Sequence, residues 1–318
     1  MEPNDQPSPP SEAAVTVVLI ADFESGDDRG WNDLRVTLGA LAGQDFRETM
    51  DVVLVETEDM RDRIPSDLFE ILPSLRVAFV DANDSYDLRN AGIELAGTDF
   101  VVTLDGDCAP GPNWVRTAVE TLRADPQLAV VSGRTLYAGD SLLARGMTLL
   151  GRSYIEEDRE SRHIANHGAG FRRSLVRDFP LPRAVGIFGS QLQAEKLLAA
   201  GRRLRFEPTM EVRHAYDGWA FERDQRPLLG YGVLRIRMED DRVANAKLAR
   251  LGILSVPIFF VGRLLRSWRN SLRYYRRYDV RAWELPAVFV YAVIGGVMEI
   301  PGMLRAVRGQ PPHATRFR

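Results

Sequence analysis

Phe100-Val-Val-Thr-Leu-Asp-Gly-Asp107 decides how this chain folds. An apolar run rich in β-formers gives out there into two carboxylates two positions apart, followed by the chain's single cysteine, Cys108. In an extended chain residues i and i+2 leave on the same side, so Asp105 and Asp107 are expected to converge at the end of a buried strand. Ligands of open α/β sheets gather outside the carboxyl ends of strands. Two hard oxygen donors at that place suit Mg²⁺ or Mn²⁺ carrying a substrate diphosphate. Asp-Gly is also a common turn dipeptide, and the tripeptide alone fits a simple turn as well.

The surroundings favour the first reading. Short apolar runs at 15–21, 51–56, 75–80, 100–104 and 128–132 alternate with helical patterns near 31–42, 86–96 and 113–124. Such alternation predicts βαβ units and a mainly parallel sheet, an α/β fold. From 133 to about 201 the pattern does not resolve into elements. The 318 residues, 45% of them hydrophobic, suit one large domain or a domain with an appendage. Residues 1–13, rich in proline and acids, are expected to form a disordered leader, without the basic and apolar regions of a signal peptide. One cysteine excludes an internal disulfide and fits a reducing, cytoplasmic compartment.

The charge is uneven. Residues 1–240 carry 27 basic and 40 acidic side chains, residues 241–318 carry 14 and 4. Two apolar runs, 251–262 and 285–304, flank a segment in which Arg263, Arg266, Arg269, Arg273, Arg276, Arg277 and Arg281 recur mostly at three- and four-residue steps. The first run is too short to span a bilayer as a helix, and the second contains Glu299, Pro286 and Pro301. The segment between them is expected to form an amphipathic basic helix, with Trp268 suited to a headgroup layer. An anionic membrane surface is therefore the expected partner of the region from 230 to 318, at the cytoplasmic face. Nucleic acid is not, because apolar runs do not help to bind phosphates.

The ordered series is more specific than any of its parts. After the first strand come Leu41-Ala-Gly-Gln-Asp-Phe46, Met50-Asp-Val-Val-Leu-Val-Glu-Thr-Glu-Asp59, Tyr86-Asp-Leu-Arg-Asn-Ala-Gly-Ile-Glu-Leu-Ala96 and the Asp-Gly-Asp segment. Further on lie His167-Gly-Ala-Gly-Phe-Arg-Arg-Ser174, Gly201-Arg-Arg-Leu-Arg-Phe-Glu-Pro208 and Val212-Arg-His214. Over about residues 14–229 this resembles the family 2 glycosyltransferases, whose GT-A fold is a nucleotide-binding α/β sandwich with an Asp-x-Asp motif. The resemblance implies a metal-dependent, inverting transfer of sugar from a nucleotide diphosphate donor to a growing glycan or a lipid-linked acceptor. By position it implies that Glu56 accepts from the nucleobase and that Arg89 and Asn90 line the nucleotide pocket. It likewise implies that Asp105 and Asp107 hold ribose and, through Mg²⁺ or Mn²⁺, the diphosphate. His214 is similar to a late histidine that completes the metal site.

The sequence departs from the family in two places. The first strand ends in Ile20-Ala-Asp-Phe23 with Glu24 after it, instead of a Pro-Thr-Tyr-Asn type turn, so Glu24 is the residue left to meet the nucleotide there. The acidic pair that usually supplies the base is replaced by Gly189-Ser-Gln-Leu-Gln-Ala-Glu195, in which Glu195 is the only acid. Glu195 is the candidate base, with Asp217 and Glu222 next. That substitution also leaves open a catalytically impaired binding or scaffold protein. A nucleotidyltransferase on a related sheet is the other alternative.

Overall fold

Strands without a polar face must be covered on both sides. β1 (Val15–Ile20) is buried at every position and β2 (Met50–Thr57) at all but its ends. A computed structural model of the chain, describing residues 12–21, 28–82, 84–157, 160–165, 167–182 and 188–312, places them inside an eight-stranded sheet of order β3-β2-β1-β4-β7-β6-β8-β5. The other strands are β3 (Leu75–Val80), β4 (Phe100–Asp105), β5 (Cys108–Pro110), β6 (Leu128–Tyr137), β7 (Gly168–Arg172) and β8 (Arg203–His214).

The parallel expectation holds through β3-β2-β1-β4 and for β6 with β8. Antiparallel joins at β4–β7, β7–β6 and β8–β5 make the sheet mixed as a whole. β7 was hidden because its small residues show no apolar alternation, and β6 runs five residues beyond the expected 132. The register slips after Ser132, where a Cβ on Gly133 would lie 1.7 Å from the Met210 carbonyl oxygen. Such a bulge breaks the period of two that marks a strand.

α1 (Asp28–Ala42) and α4 (Trp114–Ala124) cover one face through Leu34, Leu38, Trp114 and Val119, while α3 (Ser85–Leu95) covers the other through Leu88 and Ile93. Gly92 seats α3 closely: a Cβ there would sit 2.3 Å from Val18 Cγ1. The remaining helices are α2 (Leu68–Ile71), α5 (Leu142–Arg152), α6 (Arg173–Val176), α7 (Gly189–Ala199), α8 (Trp219–Glu239), α9 (Ala246–Ala249), α10 (Ser255–Tyr274) and α11 (Leu285–Val307). Of the expected leader, only Glu12 and Ala13 are described.

The tail is not a separate appendage. The expected boundary between 229 and 230 falls inside α8, which packs backbone to backbone on α11. A Cβ on Gly230 would lie 1.9 Å from the Glu299 carbonyl oxygen, and one on Gly302 1.7 Å from that of Pro227. Charges lock the same interface: Glu299 accepts from Arg226 Nη1 at 3.0 Å and from Arg263 Nε at 2.8 Å, and Arg226 also pairs with Glu222.

The arginine stripe is accordingly not one solvated face. Arg263 turns inward to Glu299, while Arg266, Arg269, Arg273, Arg276, Arg277 and Arg281 stay exposed, Arg277 reaching Glu156 at 2.8 Å from the surface. Trp268 is also not free to insert into a headgroup layer. Its ring packs 5.6 Å from that of Phe289 and its Nε1–H donates to the Phe289 carbonyl.

Replacing Glu299 by alanine takes one of two carboxylates from the buried Arg226 and the carboxylate partner from the half-buried Arg263. The cost should be about 3–5 kcal/mol of unfolding free energy, measured by urea titration. A loss below about 1 kcal/mol, the scale of an exposed pair, would show that the tail is only loosely attached.

Candidate active site

The Asp-Gly-Asp segment is a turn and a pair of carboxylates at once. Asp105 ends β4 in register with Ile20 of β1, and the Gly106 amide donates to the Ile20 carbonyl at 2.7 Å. Thr37 of α1 donates to the Gly106 carbonyl at 2.9 Å. A Cβ at 106 would lie 3.2 Å from the Ile20 oxygen, so glycine allows this close approach.

The two carboxylates meet different partners. Asp105 accepts from Arg89 on α3 through one oxygen, and its other oxygen lies 3.1 Å from His167 Nδ1, just before β7. Asp107 has no lysine or arginine partner among the described residues. Its neighbours are His214 Nδ1 at 3.4 Å and the Cys108 thiol at 3.5 Å. Sheet register puts them there, because His214, the last residue of β8, stands opposite Cys108 of β5 and beside Tyr137 of β6.

Electrostatics sharpen the contrast. Burial alone would raise Asp105, but Arg89 and His167 outweigh it and hold the carboxyl well below the usual range. Burial and the neighbouring Asp105 push Asp107 up to about 8. Burial and Arg152 lower His167 to about 3 and His214 to about 4, so both imidazoles are neutral at pH 7. The Cys108 thiol, raised by burial and Asp107, stays protonated.

His214 Nδ1 lies 2.7 Å from the Ala215 carbonyl, which can only accept, so the proton is assigned to Nδ1 and Nε2 keeps its lone pair. Ligating atoms of Asp107, Cys108 and His214 lie within 4.8 Å of one another. A buried carboxyl without a cation, beside a neutral imidazole, fits a divalent metal. Asp105, already neutralised, is not in that cluster.

A cavity of about 870 Å³ opens beside these groups, lined by Asp105, His167, His214, Arg152 and Glu222 among others. Arg152, at the end of α5, lies over the Tyr137 ring and contacts His167 Nε2. Its Nε is buried without a hydrogen-bond partner, and no carboxylate pairs with it among the described residues. It is a cation facing the cavity without its anion.

The other expected residues are distributed unevenly. Arg89 reaches the site. Asn90 does not, because its side-chain amide is used on the backbone of Leu181, accepting from the amide at 2.8 Å and donating to the carbonyl at 3.1 Å. Glu56 is buried at the end of β2, away from the cavity lining. Glu24 lies outside the described residues. Glu195 lies on α7 at 3.5 Å from Arg162 and does not line the cavity. Glu222 does, but Tyr216 and Arg226 hold its carboxylate. Asp217 is exposed just beyond His214, and its charge, after burial, raises Asp33 of α1, which in turn acts on Asp107.

Three groups were not foreseen: Arg152, Asp33 and His167. Only His167 left a signal, standing at the head of the His-Gly-Ala-Gly-Phe landmark.

A nucleotide-binding sheet carrying an acidic pair and a histidine at its strand ends is the arrangement of a GT-A glycosyltransferase. The family model for glycosyl transferase family 2 matches residues 25–179, just under half of the chain, and over that segment the chain is similar to that family. It is 30% identical over 105 residues to the hyaluronan synthase of Pasteurella multocida, covering 32% of this chain and 11% of that one. It is 29% identical over 143 residues to the pre-mycofactocin glycosyltransferase of Mycobacterium tuberculosis, covering 40% and 29%. The matches thus span less than a third of these relatives' length. The fold is similar to that of the mannosyltransferase PcManGT from Pyrobaculum calidifontis in complex with GDP-Man and Mn²⁺. The TM-score is 0.61, at 16% identity over 98% of this chain and 92% of that one.

Metal binding must displace the Asp107 proton whenever the pH is below about 8. Asp105 is already ionised and His214 already neutral between pH 6 and 8, so neither adds to the dependence. Mn²⁺ affinity should therefore rise by up to about tenfold per pH unit from 6 towards 8 and then level, with a proton released on binding. Calorimetry in buffers of different ionisation enthalpy reads both effects. Affinity independent of pH would contradict the assignment.

Proposed function

We propose that this chain is a metal-dependent, inverting glycosyltransferase that takes a sugar from a nucleotide diphosphate donor to a glycan or lipid-linked acceptor at a membrane surface. The observation that carries the reading is Asp107, a buried carboxyl beside a neutral imidazole and without a cationic partner among the described residues. The presence of GDP-Man and Mn²⁺ in the PcManGT complex supports a nucleotide sugar and a divalent cation.

Asp107 and His214 Nε2 would hold Mg²⁺ or Mn²⁺, which supplies positive charge to the departing diphosphate. Arg152 faces the same cavity as a fixed cation, already desolvated and needing little reorganisation. Arg89 neutralises Asp105 and leaves it an acceptor for ribose. Inversion by direct displacement needs a base on the acceptor side. Asp217, like Glu195, does not line the cavity, but it has no Arg partner among the described residues and stands three residues after His214, so it is the preferred candidate.

The membrane reading rests on two apolar stripes. Ile258, Val261, Leu265 and Leu272 of α10, and Val290, Val293, Ile294 and Val297 of α11, are each more than a third exposed. Exposed arginines lie among those of α10. One helix, Ala282–Val307, is long and apolar enough to cross a membrane by length and composition. Its backbone contacts with α8 and the paired Glu299 favour a helix lying on the cytoplasmic surface instead.

Screening nucleotide sugars with Mn²⁺ for nucleoside diphosphate release tests the reaction. Asp107→Asn should lower turnover at least about a hundredfold, and Asp217→Asn by a similar factor, while Glu195→Gln stays within a few-fold of wild type. No turnover with any donor, despite metal-dependent donor binding, would point to the impaired binding protein instead. At the membrane, association should survive high salt but yield to detergent, and Leu265→Glu with Val290→Glu should abolish it. Release by salt alone would contradict burial of the apolar stripes.

A further inference from the structure

The cavity beside Asp105 and His167 is also walled by α8 and α10, and there its chemistry changes. Phe259 and Phe260 line it, as do Leu248 and Ile258. The last two are 37% and 41% exposed, so the cavity opens onto the apolar surface that α10 presents.

Arginines gather in this apolar part without a matching number of acids. Arg263 is neutralised by Glu299. Arg237 makes its hydrogen bonds to the carbonyls of Val233 and Ala244 and lies over the Phe259 ring at 5.0 Å. No carboxylate pairs with it among the described residues, and burial together with Arg263 and Arg266 lowers it to about 10. Arg266, another lining residue, likewise has no carboxylate partner among the described residues. Burial, then Arg266 and Arg162, lowers the lining His163 to about 4, so it adds no charge of its own.

The buried Arg237, held over the Phe259 ring, and the exposed Arg266 at the cavity wall repel one another, and a bound anion between them removes that repulsion and part of the desolvation cost of Arg237. Guanidinium forks match phosphate oxygens, whereas the walls leading to Leu248 and Ile258 match hydrocarbon. A ligand satisfying both is an amphiphile with a phosphate head.

We propose that Arg237 and Arg266 form a second anion site, distinct from the Asp107 centre, that holds the phosphate of a long-chain lipid phosphate. This ligand is the acceptor or its carrier, and its hydrocarbon leaves past Leu248 and Ile258 into the membrane surface. The proposal rests on the glycosyltransferase reading and selects the lipid-linked acceptor over the free glycan. The apolar mouth explains why the acceptor is drawn from the surface on which α10 and α11 lie.

The test is calorimetric titration of the full chain, in neutral detergent micelles, with geranylgeranyl phosphate, geranylgeraniol and hexyl phosphate. Geranylgeranyl phosphate should bind saturably and at least about tenfold more tightly than either of the others, because each lacks one half of the match. Arg266→Ala, at an exposed position, should weaken the phosphate by about tenfold or more and leave the alcohol unchanged, with Arg237→Ala as the second variant.

Equal affinity for phosphate and alcohol, or wild-type affinity in both variants, would overturn the site. Binding of hexyl phosphate as tight as that of the long chain would overturn the lipid assignment. Equally Arg266-dependent binding to phosphatidylglycerol vesicles would make this a site for bulk headgroups and overturn the acceptor role. GDP and UDP titrated with Mn²⁺ into the same sample separate the two levels. Nucleotide binding without lipid phosphate binding would end this inference alone, and loss of both would end the glycosyltransferase reading.

Discussion

Two carboxylates buried two residues apart cannot both keep their charge without separate compensation, and the site follows from how each one finds it. Asp105 is satisfied from within the protein, by Arg89 and His167. Asp107 has no cation among the described residues, only the neutral His214 and Cys108 beside it, so burial and the charged Asp105 push its carboxyl up. The desolvation cost of an unpaired buried charge is several kcal/mol, which is the cost that the proposed cation would offset. Much of the surrounding architecture serves this asymmetry. Gly92 seats α3 so that Arg89 reaches Asp105, and the β5–β8 register brings His214 to Asp107.

The C-terminal helices belong to the same construction. Glycines at 230 and 302 bring α8 and α11 into backbone contact, and the chain Glu222–Arg226–Glu299–Arg263 runs from the cavity wall into α11 and α10. The elements that carry exposed apolar stripes therefore also wall the cavity. The exposed stripes and the cavity walls are parts of one packed unit.

Most of the N-terminal half was legible in the sequence because its strands are buried on both faces and appear as unbroken apolar runs. The Asp-Gly-Asp turn was legible for the same reason, since it sits at the predictable end of β4, whereas Arg89, inside α3, was named only through the family resemblance. β7 and the extension of β6 were not, because small residues and the bulge at Gly133 erase the period of two. Asn90 and Glu195 were named through the family resemblance, but their side chains serve the Leu181 backbone and Arg162. Arg152 could not be read from sequence at all. Its importance lies in an absent partner, which only the tertiary packing reveals. The arginine-rich helix was recognised as amphipathic, and Leu265 and Leu272 do lie exposed among its arginines, but Arg263 turns inward to Glu299 and Trp268 packs on Phe289, pairings that the spacing could not show.

Asp107 as the anchor of a divalent cation is most directly tested by anomalous diffraction at the manganese edge, from crystals grown with Mn²⁺ and a nucleoside diphosphate. A single strong peak within bonding distance of an Asp107 oxygen and His214 Nε2, with Asp105 still paired to Arg89, is the predicted result. A peak bound by Asp105 in place of Asp107, or no peak at the strand ends while the nucleotide is bound, would contradict it.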